Sequence, residues 1–386
     1  MKNGTKLIAV LLCVLLLIPT MAFAETQSSL DAEIAQSAEG MSALGGKKGE
    51  LLKDQEQFPA GTSVCDWLAM AMALSGAEES YADYLQALRT YVENAYAKNG
   101  CLDKNKATEY HRIALTVMAL GGDPTDFGTK PDGSAIDLIA EGTYNYARDP
   151  GAQGLNGWIW ALIALDAQDT EVPADAQYSR EDMVSAIVIA QEPDGGFGLI
   201  PGKSDVDITA MAVQALAPYR DRLETEIDAA LEYLSGQLTD TCGYIAYGDE
   251  NAESTAQVIL ALCALGIDPD TDTRFVKDGY TLLTQLARFR QADGTYSHTL
   301  EGAGDGMATE QSVLALVAVQ RVRAGQPWVL HFDGTYTAPD VPASPDTQTA
   351  QAPVGAGRTI LCVGIGAAVV IVAGAICIIV RKRRKA

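Results

Sequence analysis

Apolar residues recur along the chain in runs of helical length that start on polar residues and end on Gly or a charged turn. The polar starts fall near positions 66, 108, 156, 207, 254 and 309. They return about every 40 to 50 residues, which is the spacing of a repeat architecture built from helical hairpins. The pattern therefore predicts an all-α array of similar units, either stacked or closed on itself.

Two kinds of helix alternate in this pattern. Six are apolar on nearly every side, which predicts inner helices buried all round: 63–75, 108–120, 155–166, 206–217, 253–265 and 308–322. Six are amphipathic, which predicts outer helices: 29–43, 81–98, 134–148, 180–191, 223–237 and 274–290. A hairpin of one inner and one outer helix cannot bury both apolar faces alone. Six such hairpins should therefore close into a double-walled ring, an α6/α6 toroid.

The two ends of the chain predict export and membrane attachment. Residues 1–24 have the basic start, apolar run and small-residue end of a secretory signal peptide, with cleavage expected after Ala24. Residues 359–380 are apolar and uncharged, and they are long enough to form one C-terminal transmembrane helix. The basic tail 381–386 should remain in the cytoplasm, which predicts a single-pass protein of the cell membrane with its body outside.

Between these ends the sequence predicts one toroid ectodomain at 25–331 and a linker rich in Pro, Thr and Ala at 332–358. The whole chain has 50 acidic and 28 basic residues, and seven of the basic ones lie in the signal peptide and the tail. The exposed part is therefore strongly acidic. A field of this sign repels nucleic acid, so no nucleic-acid partner is expected.

Four of the seven Cys residues lie in the predicted ectodomain. Cys65 and Cys101 fall near the starts of neighbouring inner helices, on the same predicted rim, and a disulfide between them is expected. Cys242 precedes an inner helix and Cys263 lies near its far end, more than about a dozen residues along at about 1.5 Å each. That separation exceeds the reach of a disulfide, so both are expected to be free.

Residues 191–198 read QEPDGGFG and resemble the Q-x-x-D-G-G-[FW] turn of the squalene cyclase and protein prenyltransferase β-subunit repeats. Residues 240–247 and 291–296 resemble weaker copies. The Gly pair permits a tight turn and the aromatic fills the gap between hairpins. The chain looks most like bacterial surface proteins with these repeats, and it also resembles the helical domain of transcobalamin and intrinsic factor. The resemblance implies an α6/α6 toroid with a ligand cavity where the inner helices begin.

Class II terpenoid cyclases carry D-x-D-D-T-A at the start of an inner helix, where the middle Asp donates the proton that begins cyclisation. Residues 205–210 read DVDITA. The resemblance implies that Asp207 is the general acid, but Ile208 replaces a carboxylate that should tune it. Helix capping is the alternative, because free backbone N–H groups favour carboxylates in a first helical turn. We expect capping or ligand contact rather than acid catalysis.

The polar starts of the inner helices supply an expected ligand-binding rim, because carboxylates, amides and aromatics in a concave site orient small molecules. The rim residues are Asp66, Trp67, Glu109, Tyr110, Asn156, Trp158, Trp160, Asp205, Asp207, Glu253, Gln257, Glu310 and Gln311. For each Trp taken singly, packing between helix layers is the favoured alternative.

A carbohydrate-active α6/α6 enzyme would instead pair two carboxylates across such a cavity. The candidates for that pair are Glu109, Asp207, Glu253 and Glu310.

No metal site is expected. Zinc-dependent prenyltransferases need a Cys, a His and an Asp around the cavity, and the helix starts lack that set. His111 lies one turn into its helix, and His298 and His331 fall in a turn and near the linker. Residues 268–272 read DPDTD and resemble a calcium loop, but the Gly and Glu that such a loop needs are missing.

These features predict a membrane-anchored extracellular toroid that acts as a non-catalytic binding module. Its expected ligand at the acidic rim is a small molecule, a glycan or a peptide, and the transcobalamin resemblance implies a corrinoid. The main alternative is a terpenoid cyclase or prenyltransferase-like enzyme that uses Asp207 as its general acid. A carbohydrate-active α6/α6 enzyme and a structural spacer with a filled ring are further alternatives.

Overall fold

The computed structural model describes residues 28–44, 49–246, 248–334 and 336–339, which belong to one compact unit. The predicted signal peptide, the transmembrane span 359–380 and the basic tail lie outside these residues, as does most of the predicted linker. The described residues contain no helix that is long and apolar enough to cross a membrane. The membrane anchor therefore stays a prediction from the sequence.

The described part of the chain is mostly helical. Its helices are α1 (28–43), α2 (Ser63–Leu74), α3 (Tyr81–Asn99), α4 (Ala107–Ala119), α5 (Leu138–Gly142), α6 (Asn156–Asp166), α7 (Arg180–Ile189), α8 (Val206–Leu216), α9 (Glu224–Gly236), α10 (Ala252–Ala264), α11 (Leu282–Leu286) and α12 (Gly306–Arg323). The strands form short antiparallel hairpins, which pair β1 (Phe197–Ile200) with β2 (Lys203–Asp205), β3 (Ile245–Ala246) with β4 (Asp249–Glu250), β5 (Val276–Lys277) with β6 (Tyr280–Thr281), and β7 (Tyr296–Ser297) with β8 (Gly304–Asp305).

Six of these helices form a closed inner ring. In chain order α2, α4, α6, α8, α10 and α12 each pack against the next, and α12 packs back against α2. Their bounds agree with the predicted inner helices to within two residues. The chain is buried at every position from Tyr110 to Leu120, most of it in α4. An inner helix with no solvent-facing stripe needs a neighbour on each side, which explains the apolar pattern of these segments.

Helices α1, α3, α7 and α9 lie outside this ring at the predicted positions. The start of α7 is fixed by a capping box, in which the Ser179 hydroxyl accepts a hydrogen bond from Asp182 N and the Asp182 carboxylate accepts one from Ser179 N. In α9 the apolar face of Ile227, Leu231 and Leu234 is buried, and the acidic face is exposed. These four helices are amphipathic because only one side meets the ring.

The outer helix predicted at 134–148 is wrong in length, since only the five residues of α5 are helical. The segment before it folds into a loop instead, in which Phe127 N donates to Ile136 O at 2.9 Å. Gly133 has φ of 87° at the turn of that loop, a conformation that Gly adopts readily. The loop takes up the first residues of the predicted helix, and the residues that follow Gly142 form turns.

The outer helix predicted at 274–290 is also too long, because α11 spans five residues. Strands β5 and β6 occupy the first part of the segment and turn at Asp278 and Gly279, which have φ of 50° and 85°. Asp-Gly is the sequence of a two-residue hairpin turn in which both residues have positive φ. The local turn chemistry therefore prevails over the helical pattern at this position.

The last hairpin closes the ring against the first helix. Tyr296 is fully buried, and its hydroxyl donates to Glu33 Oε1 in α1 at 2.7 Å. Gly294, with φ of 89°, approaches so closely that a Cβ there would collide with the carbonyl of Gln36. The seam thus joins the first and last repeats, as the sequence predicts.

The packed part of the chain extends past the predicted domain boundary at 331. Phe332 is buried together with Val329 and Leu330. Four residues further on, the Tyr336 hydroxyl donates to Ala119 O at the end of α4 at 2.6 Å. The first residues assigned to the linker therefore belong to the helical body.

The predicted disulfide between Cys65 and Cys101 is wrong. Cys101 is a free thiol in the turn after α3, where its Sγ donates to Asn99 O at 3.9 Å. Cys65 lies in the first turn of α2 and is buried in the hydrophobic core, so the two side chains face different surroundings. Cys242 and Cys263 are free and buried, as predicted.

Candidate functional site

The six inner helices begin at one end of the ring, which we call the mouth. Trp67 and Trp160 are each the fifth residue after the cap of their helix, and their rings contact with centroids 5.1 Å apart. Gln257 and Gln311 are each the sixth residue after a cap and share a hydrogen bond of 2.9 Å. Side chains at matching depth therefore meet, which shows that these helices run parallel and bring their first turns together.

Three consecutive inner helices start with the same capping device, in which a side-chain oxygen accepts a hydrogen bond from the first turn. The pairs are Asp205 with Ile208 N (3.1 Å), Asn251 with Ser254 N (2.8 Å) and Asp305 with Ala308 N (2.9 Å). Caps of this kind satisfy N–H groups that have no partner within the helix. The capping interpretation is therefore correct for Asp205.

Thr209 ties the first turn of α8 to the hairpin in front of it. Its hydroxyl donates to Asp205 O at 2.6 Å and accepts from Phe197 N at 2.8 Å. In α12 the Thr309 hydroxyl holds Tyr296 of β7 in the same way, accepting a hydrogen bond from the Tyr296 backbone N at 2.8 Å. Asp205 and Thr209 of the DVDITA motif therefore build the helix start, and the motif's remaining polar residue is Asp207.

Asp207 takes no part in capping. Its Oδ1 is buried and has no hydrogen-bond partner among the described residues, although part of the residue stays accessible. Burial raises the pKa of Asp207 to about 6; the Ser254 hydroxyl opposes this, and the charges of Asp205 and Glu253 add to it. An acid with such a pKa is protonated in about a tenth of the molecules at pH 7 and still gives up its proton readily.

Glu253 occupies in α10 the position that Asp207 occupies in α8, two residues after the cap. Its side chain is largely buried and both carboxylate oxygens contact His298 Nδ1, at 2.9 and 2.8 Å. Burial raises the pKa of Glu253, and the charge of His298 partly offsets the increase. The imidazole of His298 is about half exposed, so this pair connects the buried mouth to solvent.

Glu310 lies deeper, in the second turn of α12, and is 3% exposed. Its Oε2 is buried without a hydrogen-bond partner among the described residues. Burial raises the pKa of Glu310 well above its usual range and the charge of Glu253 raises it further. Asp207, Glu253 and Glu310, which we call the carboxyl triad, thus belong to consecutive helices and favour each other's protonated forms.

The inside of the ring next to the triad is lined by amides and aromatics. Gln214 Nε2 donates to Gln257 Oε1 at 3.0 Å, and Gln257 donates onward to Gln311, so one hydrogen-bonded row crosses α8, α10 and α12. Trp67 and Trp160 lie on the facing helices α2 and α6, and both are partly exposed. The mouth therefore offers acids on one side and aromatic faces on the other.

Two predicted rim carboxylates are bound by the same arginine. Asp66 is fully buried, with Oδ2 2.9 Å from Arg112 Nε and Oδ1 accepting from Tyr84 OH at 2.7 Å. Glu109 contacts the same guanidinium at 2.7 Å. The bond between Arg112 and Asp66 joins α2 to α4 and leaves Asp66 fully buried, so the prediction that Asp66 contacts a ligand is wrong in this fold. The bond between Arg112 and Glu109 lies within α4, and ligand contact at Glu109 stays a prediction. Arg112 had no role in the sequence analysis because its partner Asp66 is 46 residues away.

Three further predicted rim residues, Tyr110, Trp158 and Asn156, differ in what surrounds them. Tyr110 is buried and its hydroxyl accepts from Leu102 N at 3.0 Å, so it braces the turn before α4. Trp158 packs edge-on against Tyr178, which lies in the loop before α7, with centroids 5.3 Å apart. Asn156 Oδ1 is buried and unpartnered among the described residues. Tyr110 is thus a buried structural residue, and ligand contact at Trp158 and Asn156 stays a prediction.

The histidines do not form a metal centre with the described carboxylates and cysteines, among which no group of three could hold an ion. His111 is buried and contacts Gly142 O at 2.6 Å, and burial lowers its pKa to about 4. His298 is the functional candidate that sequence reasoning missed. The chain brings it to α10 because Ala252 N donates to His298 O at 3.1 Å, a contact that no local pattern encodes.

A cavity of about 140 Å³ lies at the opposite end of the ring, near the ends of α6, α8 and α10. Its lining includes Asp166, Gln214 and Ala264, together with Trp328 and His331 from the segment after α12. The resemblance implied a cavity where the inner helices begin, so this cavity is in a different place. Gln214 is shared between it and the amide row that reaches the mouth.

Comparison with known proteins finds enzymes of terpenoid biosynthesis. A drimenyl diphosphate synthase of Streptomyces showdoensis is 27% identical over 216 residues, which are 55% of this chain and 40% of that protein. A drimenyl diphosphate synthase of Streptantibioticus cattleyicolor is 36% identical over 117 residues, 29% of this chain and 21% of that protein. The matches thus span less than half of either relative. No family model matches the chain.

A solved structure of Candida albicans protein geranylgeranyltransferase-I with GGPP aligns at a TM-score of 0.49 and 10% identity, over 73% of this chain and 90% of that chain. The two synthases confirm the resemblance to terpenoid cyclases and their helical fold. The prediction of a non-catalytic binding module is wrong, because both of these relatives are synthases and the alternative of a cyclase-like enzyme accounts for them.

Proposed function

We propose that this chain is an enzyme that protonates a carbon–carbon double bond of an isoprenoid, with Asp207 as the general acid. The observation that carries the proposal is the state of the Asp207 carboxyl, which is buried, unpartnered at Oδ1 and raised in pKa to about 6. It lies at the position of the DVDITA motif that corresponds to the acid of class II terpenoid cyclases. The similarity to two drimenyl diphosphate synthases supports the same reaction class.

In this reaction the Asp207 proton is transferred to one alkene carbon and leaves a carbocation on the other. The charge then moves as new carbon–carbon bonds form, and the cation finally loses a proton or takes up water. The faces of Trp67 and Trp160 can stabilise a cation by about 0.5 to 2 kcal/mol. Those rings contact each other at the mouth, across from the triad, where the charge would develop.

Ile208 stands where the class II motif has a carboxylate, and the carboxylate of Glu253 can take over its role toward Asp207. Ile208 is buried and apolar, but Glu253 from the next helix supplies a charge that raises the pKa of Asp207. Glu253 itself is held by His298, and Glu310 is almost fully buried. Asp207 is thus the triad member that combines a raised pKa with an accessible side, which favours it as the acid that meets substrate.

The proposal includes the finer architecture of a double-walled α6/α6 toroid. The cyclic packing of the inner helices supports it, and α1, α3, α7 and α9 provide most of an outer layer. A location outside the cell, on a single anchor, stays a prediction from residues 1–24 and 359–380.

The test incubates the purified protein with isoprenoids of 15 to 30 carbons and identifies products by gas chromatography and mass spectrometry. We expect cyclised product from the wild type and a loss of at least about 100-fold in rate for Asp207→Asn, the usual contribution of a general acid. Asp228→Asn, an exposed acid of α9, is the matched control and should react normally. Absence of any product, or an active Asp207→Asn protein, would overturn the proposal.

A further inference from the structure

The cavity at the end of the ring opposite the mouth has no part in the proposed reaction. Its volume is about 140 Å³, and an apolar cavity of about 150 Å³ is large enough to bind benzene. Most of its wall is apolar and comes from Ile163, Ala215, Pro218 and Ala264. The cavity therefore has the size and the lining to hold one small organic molecule.

One wall of this cavity carries a hydrogen-bond donor without an acceptor. Trp328 lines the cavity, and its Nε1 is buried and has no hydrogen-bond partner among the described residues. An indole N–H group can only donate, and a buried donor that stays unpaired destabilises the fold. Because the described protein supplies no acceptor for this group, we expect the acceptor to belong to a molecule in the cavity.

The segment after α12 holds this donor in place through backbone contacts. His331 N donates to Trp328 O at 3.0 Å, and Phe332 N donates to Ala167 O at 2.6 Å, just after α6. The imidazole of His331 is fixed as well, since its Nδ1 donates to Asp166 O at 3.1 Å. The fold itself thus builds the cavity wall, and a ligand needs little ordering of the protein to bind.

Asp166 supplies an acceptor in the lining of the same cavity. Its carboxylate accepts from Arg180 Nε at 2.9 Å and from Tyr219 OH at 2.8 Å. A carboxylate has about four lone-pair sites, so Asp166 can accept a further hydrogen bond. A hydroxyl group is the simplest group that can both accept from the indole of Trp328 and donate to this carboxylate.

The charges around the cavity favour a neutral ligand. Asp169 and Asp333 carry carboxylate oxygens 3.7 Å from His331 Nε2, so the groups on this side are mainly acidic and disfavour an anion. The apolar remainder of the wall disfavours a cation, because burial of an unpaired charge is costly.

We propose that this cavity binds a small neutral hydroxyl compound with an apolar body of about six carbon atoms, and that Trp328 Nε1 donates to its hydroxyl oxygen. Phenol is the simplest probe of this class. The site is separate from the carboxyl triad, so binding does not depend on the proposed reaction. A protein that converts no isoprenoid can still bind phenol here.

The test follows the indole signals of the purified full-length chain, labelled with ¹⁵N at tryptophan, by nuclear magnetic resonance. The chain has four Trp residues, and the signal that is missing in Trp328→Phe identifies Trp328. Phenol should shift this signal until the site is saturated. Benzene has the same ring without an acceptor oxygen and should bind at least about tenfold more weakly, the worth of one hydrogen bond. Benzoate should not bind.

Calorimetric titration of variants with phenol completes the test. Trp328→Phe keeps an aromatic ring without the donor and should lose about tenfold in affinity. Ala264→Leu fills the cavity and should bind neither phenol nor benzene, which keeps the inference testable if Trp328→Phe does not fold. Tyr280→Phe, which changes an exposed side chain of β6, is the control and should bind phenol normally.

Three results would overturn the proposal: a Trp328 signal that phenol does not shift, equal affinity for phenol and benzene, or normal phenol binding by Ala264→Leu. The first would mean that the cavity takes up water alone. The second would mean that Trp328 Nε1 makes no bond to the ligand, and the third would place phenol elsewhere on the protein.

Discussion

Arg112 Nε lies 2.9 Å from Asp66 Oδ2, and this ion pair joins two neighbouring inner helices at almost wholly buried positions. The guanidinium also donates to Gly61 O and to Glu109, so its charge is satisfied on several sides. A buried pair of this kind contributes little compared with apolar packing, but the loss of one partner leaves an uncompensated charge in the interior. The pair therefore fixes how α2 meets α4.

We predict that Asp66→Asn lowers the free energy of unfolding by about 3 kcal/mol, at the lower end of the range for broken buried pairs because Glu109 remains. Urea unfolding followed by circular dichroism measures the change. Arg222→Gln, which breaks the exposed pair of Arg222 with Glu181, is the control and should cost at most about 1 kcal/mol. Equal small losses in both variants would show that the Asp66 pair is not a structural requirement.

We predict that Thr209→Val destabilises the fold by about 1 to 3 kcal/mol, because the buried Phe197 N would lose its acceptor. Valine has nearly the shape of threonine, so the loss reports the hydrogen bond and not a cavity. Thr225→Val, at an exposed position of α9, should change stability very little. A Thr209→Val protein as stable as wild type would mean that the hairpin before α8 is held by other contacts.

The sequence predicts the inner helices well because their signal is local. Each apolar run reports burial on all sides, and Asp205 and Thr209 act within four residues of each other. The roles of Asp66 and Glu253 could not be predicted in this way. Their partners, Arg112 and His298, are 46 and 45 residues away along the chain, and only the closed ring brings them together. Ile208 favoured a non-catalytic interpretation for the same reason, because the carboxylate that raises the pKa of Asp207 belongs to Glu253 on another helix.

We predict that the stability of the folded chain falls as pH rises from about 4 to about 6. The folded pKa of Asp207 is raised to about 6 from 3.8, so the unfolded chain loses this proton first. The stabilisation is therefore complete below the unfolded pKa and is lost as pH rises through the folded value. Asp207→Asn cannot ionise and should gain up to about 3 kcal/mol relative to wild type between pH 4 and pH 8.

Urea unfolding of both proteins across this pH range measures the difference, and the exposed Asp228→Asn serves as the matched variant. The gain is an upper value because part of Asp207 is accessible and water relieves some of the burial. Parallel curves for wild type and Asp207→Asn would mean that Asp207 ionises alike in the folded and unfolded states, and the raised pKa would then be excluded.

We predict that the first-turnover rate falls about tenfold per pH unit above about pH 6, because only protonated Asp207 can react. Glu253→Gln removes a negative charge that raises the pKa of Asp207, so the fall should begin at lower pH in this variant. Single-turnover measurement is essential, since it separates proton transfer from Asp207 from the later steps of turnover. Glu232→Gln, an exposed acid of α9, should leave the profile in place. An unchanged profile in Glu253→Gln would show that the charge of Glu253 does not raise the pKa of Asp207. Glu253 would then not substitute for the motif carboxylate that Ile208 replaces, and the raised pKa would be due to burial.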